Sequence, residues 1–153
     1  MDTAKLKEEA LALRREKHQM IKTGLNAAVE CNHDLAIVYT PGVSAPCLAI
    51  KDDEDLSLEL TWRGNVVAVI SDGTRVLGMG DIGAAAAMPV MEGKSALYKR
   101  FGQIDAIPIT LDTKDPQEFI HTVKLLEKNF AGINLEDISS PKCYDIEDEL
   151  KKI

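Results

Sequence analysis

The sequence predicts an α/β domain: a three-layer α/β/α arrangement around a small, mainly parallel sheet, preceded by N-terminal helices. Three observations carry this. Val66-Val67-Ala68-Val69-Ile70 is apolar at every position, the pattern of a strand covered on both faces, as in parallel sheets. From residue 66 onward, strand-like and helix-like segments alternate. The chain has 153 residues, enough for one cooperative core and too few for two full domains.

Taken in order, residues from Asp2 to about Met20 read as a helix. Asp2 or Thr3 serves as the cap, and Arg14, Arg15 and Lys17 come late, complementing the helix dipole. Its apolar stripe of Leu6, Ala10, Leu13 and the Lys17 stem is too thin for a core helix, so it is expected to pack on another surface, such as a second subunit. Residues 34–50 contain Pro41-Gly42 and Pro46 and are expected to be a loop flanked by short extended pieces.

After the strand at 66–70 come a turn at Ser71-Asp72-Gly73 and then Arg75-Val76-Leu77. A helical stretch from Ala84 to Arg100 contains Pro89 and Gly93, and is expected to start near Pro89 or to kink there. Ile104 to Leu111 reads as the second strand. Asp115-Pro116-Gln117-Glu118 is a helix start, with Asp115 as N-cap, proline at the first position and Glu118 closing a capping box. Phe119, Val123, Leu126 and Phe130 fall on one face, and Gly132 is expected to stop the helix. Ile133-Asn134-Leu135 reads as a third strand, and Ser140-Pro141 opens a last helix.

Composition excludes several classes. With 25 acidic and 18 basic residues the formal charge is −7, and the basic residues are dispersed, which argues against nucleic-acid binding. Cys31, Cys47 and Cys143 form no C-x-x-C pair and suit reduced thiols in a cytosolic protein. The N-terminus lacks the apolar core of a signal peptide. The longest weakly polar run, Ile82 to Met91, is shorter than the roughly 20 residues of a membrane span. A soluble cytoplasmic protein is expected.

Five features point to chemistry. Gly78-Met79-Gly80-Asp81-Ile82-Gly83 is a G-x-G-x-x-G between a strand and a helix; it reads either as a dinucleotide loop or as a tight turn facing substrate or packing. Asp112 is a ribose-binding acid only at an unusual spacing. Glu136-Asp137, at the carboxyl end of a strand, suits Mg2+ or Mn2+, or else a cap or solvated turn. Lys94, on a mostly apolar helical face, is either a general base or a surface lysine. Tyr39, beside Thr40-Pro41-Gly42, is catalytic or packing. Arg75 either offers its planar fork to a carboxylate or pairs on the surface. His18, His33 and His121 lack the companions a zinc site needs.

Four blocks in order resemble the malic enzymes, with the related malolactic enzymes. They are Tyr39-Thr40-Pro41-Gly42-Val43, the run from Val69 to Gly83, Pro89-Val90-Met91-Glu92-Gly93-Lys94, and the run from Gly132 to Ile138. The likeness covers nearly the whole chain and is to the N-terminal, malate-binding domain of the compact prokaryotic form. It implies that Tyr39 is the general acid that protonates the enol of pyruvate and Lys94 the general base on the malate hydroxyl. It also implies that Glu136 and Asp137 are two of three carboxylate ligands of the divalent metal, and that Arg75 holds a malate carboxylate as in some members. Acid and base would both be tuned downward by burial or by the metal. The resemblance places NAD or NADP in a separate C-terminal Rossmann domain, and it implies a homodimer.

The third metal carboxylate of the family lies in a His-Asp-Asp-Gln-His-Gly-Thr-like segment, which is not found in these residues. The chain alone is therefore expected not to oxidise and decarboxylate malate. Two other readings stay open: a small dinucleotide-binding module using Gly78, Gly80 and Gly83, and a non-catalytic dimerisation or regulatory domain.

Overall fold

The structure, a computed structural model, describes residues 3–17 and 19–153. Three strands, β1 (Val66–Ser71), β2 (Asp105–Thr110) and β3 (Gly132–Leu135), form a sheet in the order β2-β1-β3, with both pairings parallel. The sheet expected to be mainly parallel is wholly so. Register sets Val66 opposite Asp105 and Val67 opposite Gly132.

Helix α5 (Gly83–Gly102) connects β1 to β2, and α6 (Pro116–Leu126) connects β2 to β3. Side chains alternate across β1, as the two-residue period of a strand requires. Val66, Ala68 and Ile70 pack with Phe119, Ile120 and Val123 of α6, with Phe130, and with Ile146 of the last helix, α7 (Lys142–Leu150). Val69 packs on the opposite face with Met91 of α5 and Ala106 of β2. These are the three layers, and they explain why a continuous apolar run was needed at 66–70.

The connections fix where a site can form. From β1 the chain turns through α5 to one neighbour, whereas β3, on the other side, leads into α7. Adjacent strands whose chains depart in opposite directions leave a crevice at their carboxyl ends. Here that crevice lies between Ser71-Asp72-Gly73 and Glu136-Asp137, held in register by the bond from Glu136 N–H to the Ile70 carbonyl at 2.9 Å.

Four local expectations are corrected. Residues 34–50 are mostly helical, in α2 (Asn32–Val38) and α3 (Ser44–Asp52). Pro41 falls in the intervening turn and Pro46 in the first turn of α3, where a missing N–H leaves no bond unmade. Helix α5 begins at Gly83 rather than near Pro89, which lies inside it. The Asp115 cap forms, accepting from Gln117 N–H at 2.8 Å, but Glu118 completes no capping box; its carboxylate takes the Thr113 hydroxyl instead. Gly132 opens β3, and α6 ends through a 3-10 turn at Glu127–Asn129.

Helix α1 spans Thr3–Lys17, stopping short of Met20; Asp2 and His18 lie outside the described residues. Arg14 ties α1 to α5 through Glu92 and the Pro89 carbonyl. Leu6, Leu11 and Leu13 stay exposed, as do Leu35 and Ile37 of α2 and Leu48 of α3. Helix α4 (Ser57–Leu60) and short 3-10 turns lead from α3 to β1. Among the described residues, no helix is long and apolar enough to cross a membrane.

Candidate functional site

The crevice brings Lys94, Glu136 and Asp137 together. The long α5 lies against the sheet and presents Lys94, while Glu136 and Asp137 follow directly on β3. Lys94 Nζ is 2.7 Å from a Glu136 carboxylate oxygen, with both side chains partly exposed at 38% and 24%. The Glu136 carboxylate raises the Lys94 pKa above its ordinary 10.5, first by hydrogen bonding and then by charge. Burial of Lys94 is too slight to outweigh its acidic partner.

Asp137 takes a left-handed backbone conformation, with φ of 54°. One oxygen of its carboxylate, Oδ2, is buried without a hydrogen-bond partner. Burial, followed by the neighbouring Glu136 charge, pushes its pKa above the ordinary aspartate value. An orphaned carboxylate oxygen beside a second carboxylate suits a hard cation such as Mg2+ or Mn2+. The donor set is partial: among the described residues, no group of three or more His, Cys, Asp or Glu side chains could hold a metal. A cleft of about 700 Å³ runs from Glu136 and Asp137 along β3 to Arg63, Phe130 and Leu150; Lys94 and Arg75 do not line it.

The other expected residues are placed differently. The Arg75 backbone N–H donates to the Asp137 carbonyl at 3.0 Å, so Arg75 stands at the rim of the crevice. Its side chain is exposed. Tyr39 closes α2, is 70% exposed, and is not joined to Lys94, Glu136 or Asp137 by any hydrogen bond among the described residues.

The glycine motif folds back on itself. Gly78, Gly80 and Gly83 all have positive φ, and Val76 and Gly80 exchange backbone hydrogen bonds at 2.8 and 2.9 Å. The result is a tight turn that leaves Leu77 89% exposed. Asp81 is engaged by Lys114. Gly83 opens α5.

Sequence reasoning missed the residues that support the site. Asp72, whose side chain is 1% exposed, pairs with Lys142 Nζ at 2.6 Å and accepts from the Thr74 backbone N–H and hydroxyl at 3.0 and 2.6 Å. The Tyr98 hydroxyl bonds Asn134 Oδ1 at 3.0 Å, and Asn134 Nδ2 donates to Glu136 at 3.2 Å. A signal was available for the second group: Tyr98 lies four residues after Lys94 on a helix, and Asn134 two before Glu136 on a strand.

Comparison with known proteins adds a second line of observation. The family model for the malic enzyme N-terminal domain matches residues 15–118. The chain is 48% identical over 147 residues to the bifunctional malic/malolactic enzyme of Bacillus subtilis, covering 96% of this chain and 36% of that protein. It is 55% identical over 119 residues to the NADP-dependent malic enzyme of Salmonella typhimurium, covering 78% and 16%. The crystal structure of the NAD-dependent malic enzyme of Thermotoga maritima superposes with a TM-score of 0.91 at 44% identity, covering 94% of this chain and 40% of that one. The chain thus spans less than half the length of each of these three proteins.

Proposed function

The chain belongs to the malic enzyme family, whose N-terminal domain it carries, and on that premise we propose that it binds malate and a divalent metal for the oxidative decarboxylation of malate to pyruvate and CO2 with NAD or NADP. The observation that carries this reading is the convergence of Lys94, Glu136 and the orphaned Asp137 oxygen at the carboxyl end of the sheet. A hydride acceptor is not supplied by these residues, so the 153-residue chain by itself is inactive in this reading.

Glu136 and Asp137 are the residues that would hold Mg2+ or Mn2+, which supplies Lewis-acid polarisation of the substrate oxygens. Lys94 takes the proton of the malate hydroxyl. For that it must first give up its own proton, which the contact with Glu136 opposes. Arg75 at the rim is free to pair with a malate carboxylate through its planar fork. Tyr39 is assigned the proton delivered to the enol carbon.

Exposed apolar side chains on α1, α2 and α3 are available to a homodimer contact, the association this reading assigns. The site belongs to a cytoplasmic enzyme in this reading.

Two measurements test the proposal. Purified 1–153 is expected to show no malate-dependent reduction of NAD or NADP, and clear turnover would overturn its inactivity. Mn2+ binding is expected to be lost in the Glu136→Ala, Asp137→Ala double variant. Unchanged affinity there would remove the metal assignment and favour a non-catalytic dimerisation role. Micromolar NADH binding abolished by a bulky replacement of Gly80 would favour the dinucleotide-module reading.

A further inference from the structure

On one helix face, residues four apart stand one above the other, and on one side of a strand, residues two apart do the same. Lys94 and Tyr98 are such a pair on α5, and Asn134 and Glu136 are such a pair at the end of β3. The two pairs meet rung to rung: Lys94 on Glu136 at 2.7 Å and Tyr98 on Asn134 at 3.0 Å. A cross-link from Asn134 Nδ2 to Glu136 Oε1 at 3.2 Å completes the set.

The chemistry gives this network one direction. A carboxylate can only accept, so the Asn134 amide must turn its NH2 toward Glu136 and its carbonyl oxygen toward Tyr98. The Tyr98 hydroxyl must then donate to Asn134. Lys94 and Asn134 converge on the same oxygen, Glu136 Oε1. Among the described residues the other oxygen, Oε2, has no protein partner, and it sits on the residue next to the one that carries the orphaned Asp137 Oδ2.

We infer that Tyr98 and Asn134 are positioning residues that hold the Glu136 carboxylate with Oε1 committed to the protein and Oε2 left for the cation. The inference rests on the metal reading of Glu136 and Asp137 given above. Tyr98 is anchored for this task, because its ring packs against the cluster of Val69, Met91 and Ala106. Removing its hydroxyl alone therefore leaves the ring's packing in place while freeing the Asn134 amide to rotate.

The test is a Mn2+ titration of the 153-residue chain, read by paramagnetic broadening of the backbone amide signals of residues 132–137 together with thermal melting. A net hydrogen bond of this kind is worth about threefold to tenfold in an equilibrium. Tyr98→Phe and Asn134→Leu are each expected to weaken Mn2+ binding by about that factor. In Tyr98→Phe the melting temperature is expected to fall by only about 2–4 °C, and Mn2+ affinity is read well below that transition, where a merely structural role would leave it unchanged. Glu136→Gln is the control for the site itself. If wild-type binding is lost in Glu136→Gln yet unchanged in Tyr98→Phe, the positioning role is overturned and the metal site stands. If the wild type shows no broadening at residues 132–137, the metal reading falls and the inference with it. Should Asn134→Leu fail to fold, Tyr98→Phe decides the question.

Discussion

The Thr74 hydroxyl oxygen accepts the backbone N–H of Ser139 at 2.9 Å while donating to Asp72 Oδ1 at 2.6 Å. One side chain thereby ties the loop after β1 to the loop after β3, across the mouth of the crevice. Asp137 lies inside the span so closed, its carbonyl taken by the Arg75 N–H. Thr74→Val keeps the shape, leaves the Ser139 N–H unmet and leaves Asp72 Oδ1 with the Thr74 backbone N–H alone, so a loss of about 1–3 kcal/mol is expected, with Thr74→Ser close to wild type. Urea unfolding measures both, and a Thr74→Val variant as stable as the wild type would show that the tie contributes nothing.

Asp72 and Lys142 form the most deeply buried ion pair among the described residues. Removing only the cation strands a charge in the interior. Lys142→Met is accordingly expected to cost about 3 kcal/mol, and adding Asp72→Asn to recover part of that loss. Equal stability of single and double variants in denaturant melts would contradict the assigned coupling.

Gly73 answers two demands at once. Its φ is +69°, and a Cβ there would stand 2.4 Å from the Gly83 carbonyl oxygen. Gly78 has φ of +75° but open space around it. Left-handed strain alone costs about 1–2 kcal/mol, so Gly78→Ala should lose roughly that, and Gly73→Ala distinctly more because backbone atoms must move. Chemical denaturation of the two variants side by side gives the order.

Lys114 joins the glycine-rich turn to the β2–α6 connection through Asp81. Its hydrogen bond, and then its charge, hold the Asp81 carboxyl below the ordinary 3.8. Since the folded value is the depressed one, the pair's contribution is present above 3.8 and fades as pH falls through the folded value. Lys114→Met is expected to return the Asp81 titration, followed by carbon NMR, toward 3.8. A titration that does not move would mean the pair does not persist in solution.

Much of the fold was legible because its signals are local. The uniform apolar run at 66–70, the Asp115 cap and the Phe119–Val123 face each state a preference within a turn or two of chain. The errors were local too. Proline was read as a breaker at 41–46 and as a helix start or kink at 89, yet Pro46 stands where no N–H is needed and the helix that carries Pro89 already starts at Gly83. Glu118 had the spacing for a capping box, but the Thr113 hydroxyl offered another partner.

By itself, then, the sequence determined the α/β class, the order of the elements and, through four motif blocks, the resemblance to malic enzymes. Only the tertiary structure decided which residues meet. Lys94 reaches Glu136, and Thr74 reaches Ser139, because parallel pairing of β1 with β3 sets their loops side by side while α5 packs on the sheet beside them. Strand register and crossover direction are long-range properties, and no window of a few residues contains them. For the same reason Tyr98 and Asn134, unremarked as isolated letters, acquire a role only as rungs between a helix and a strand.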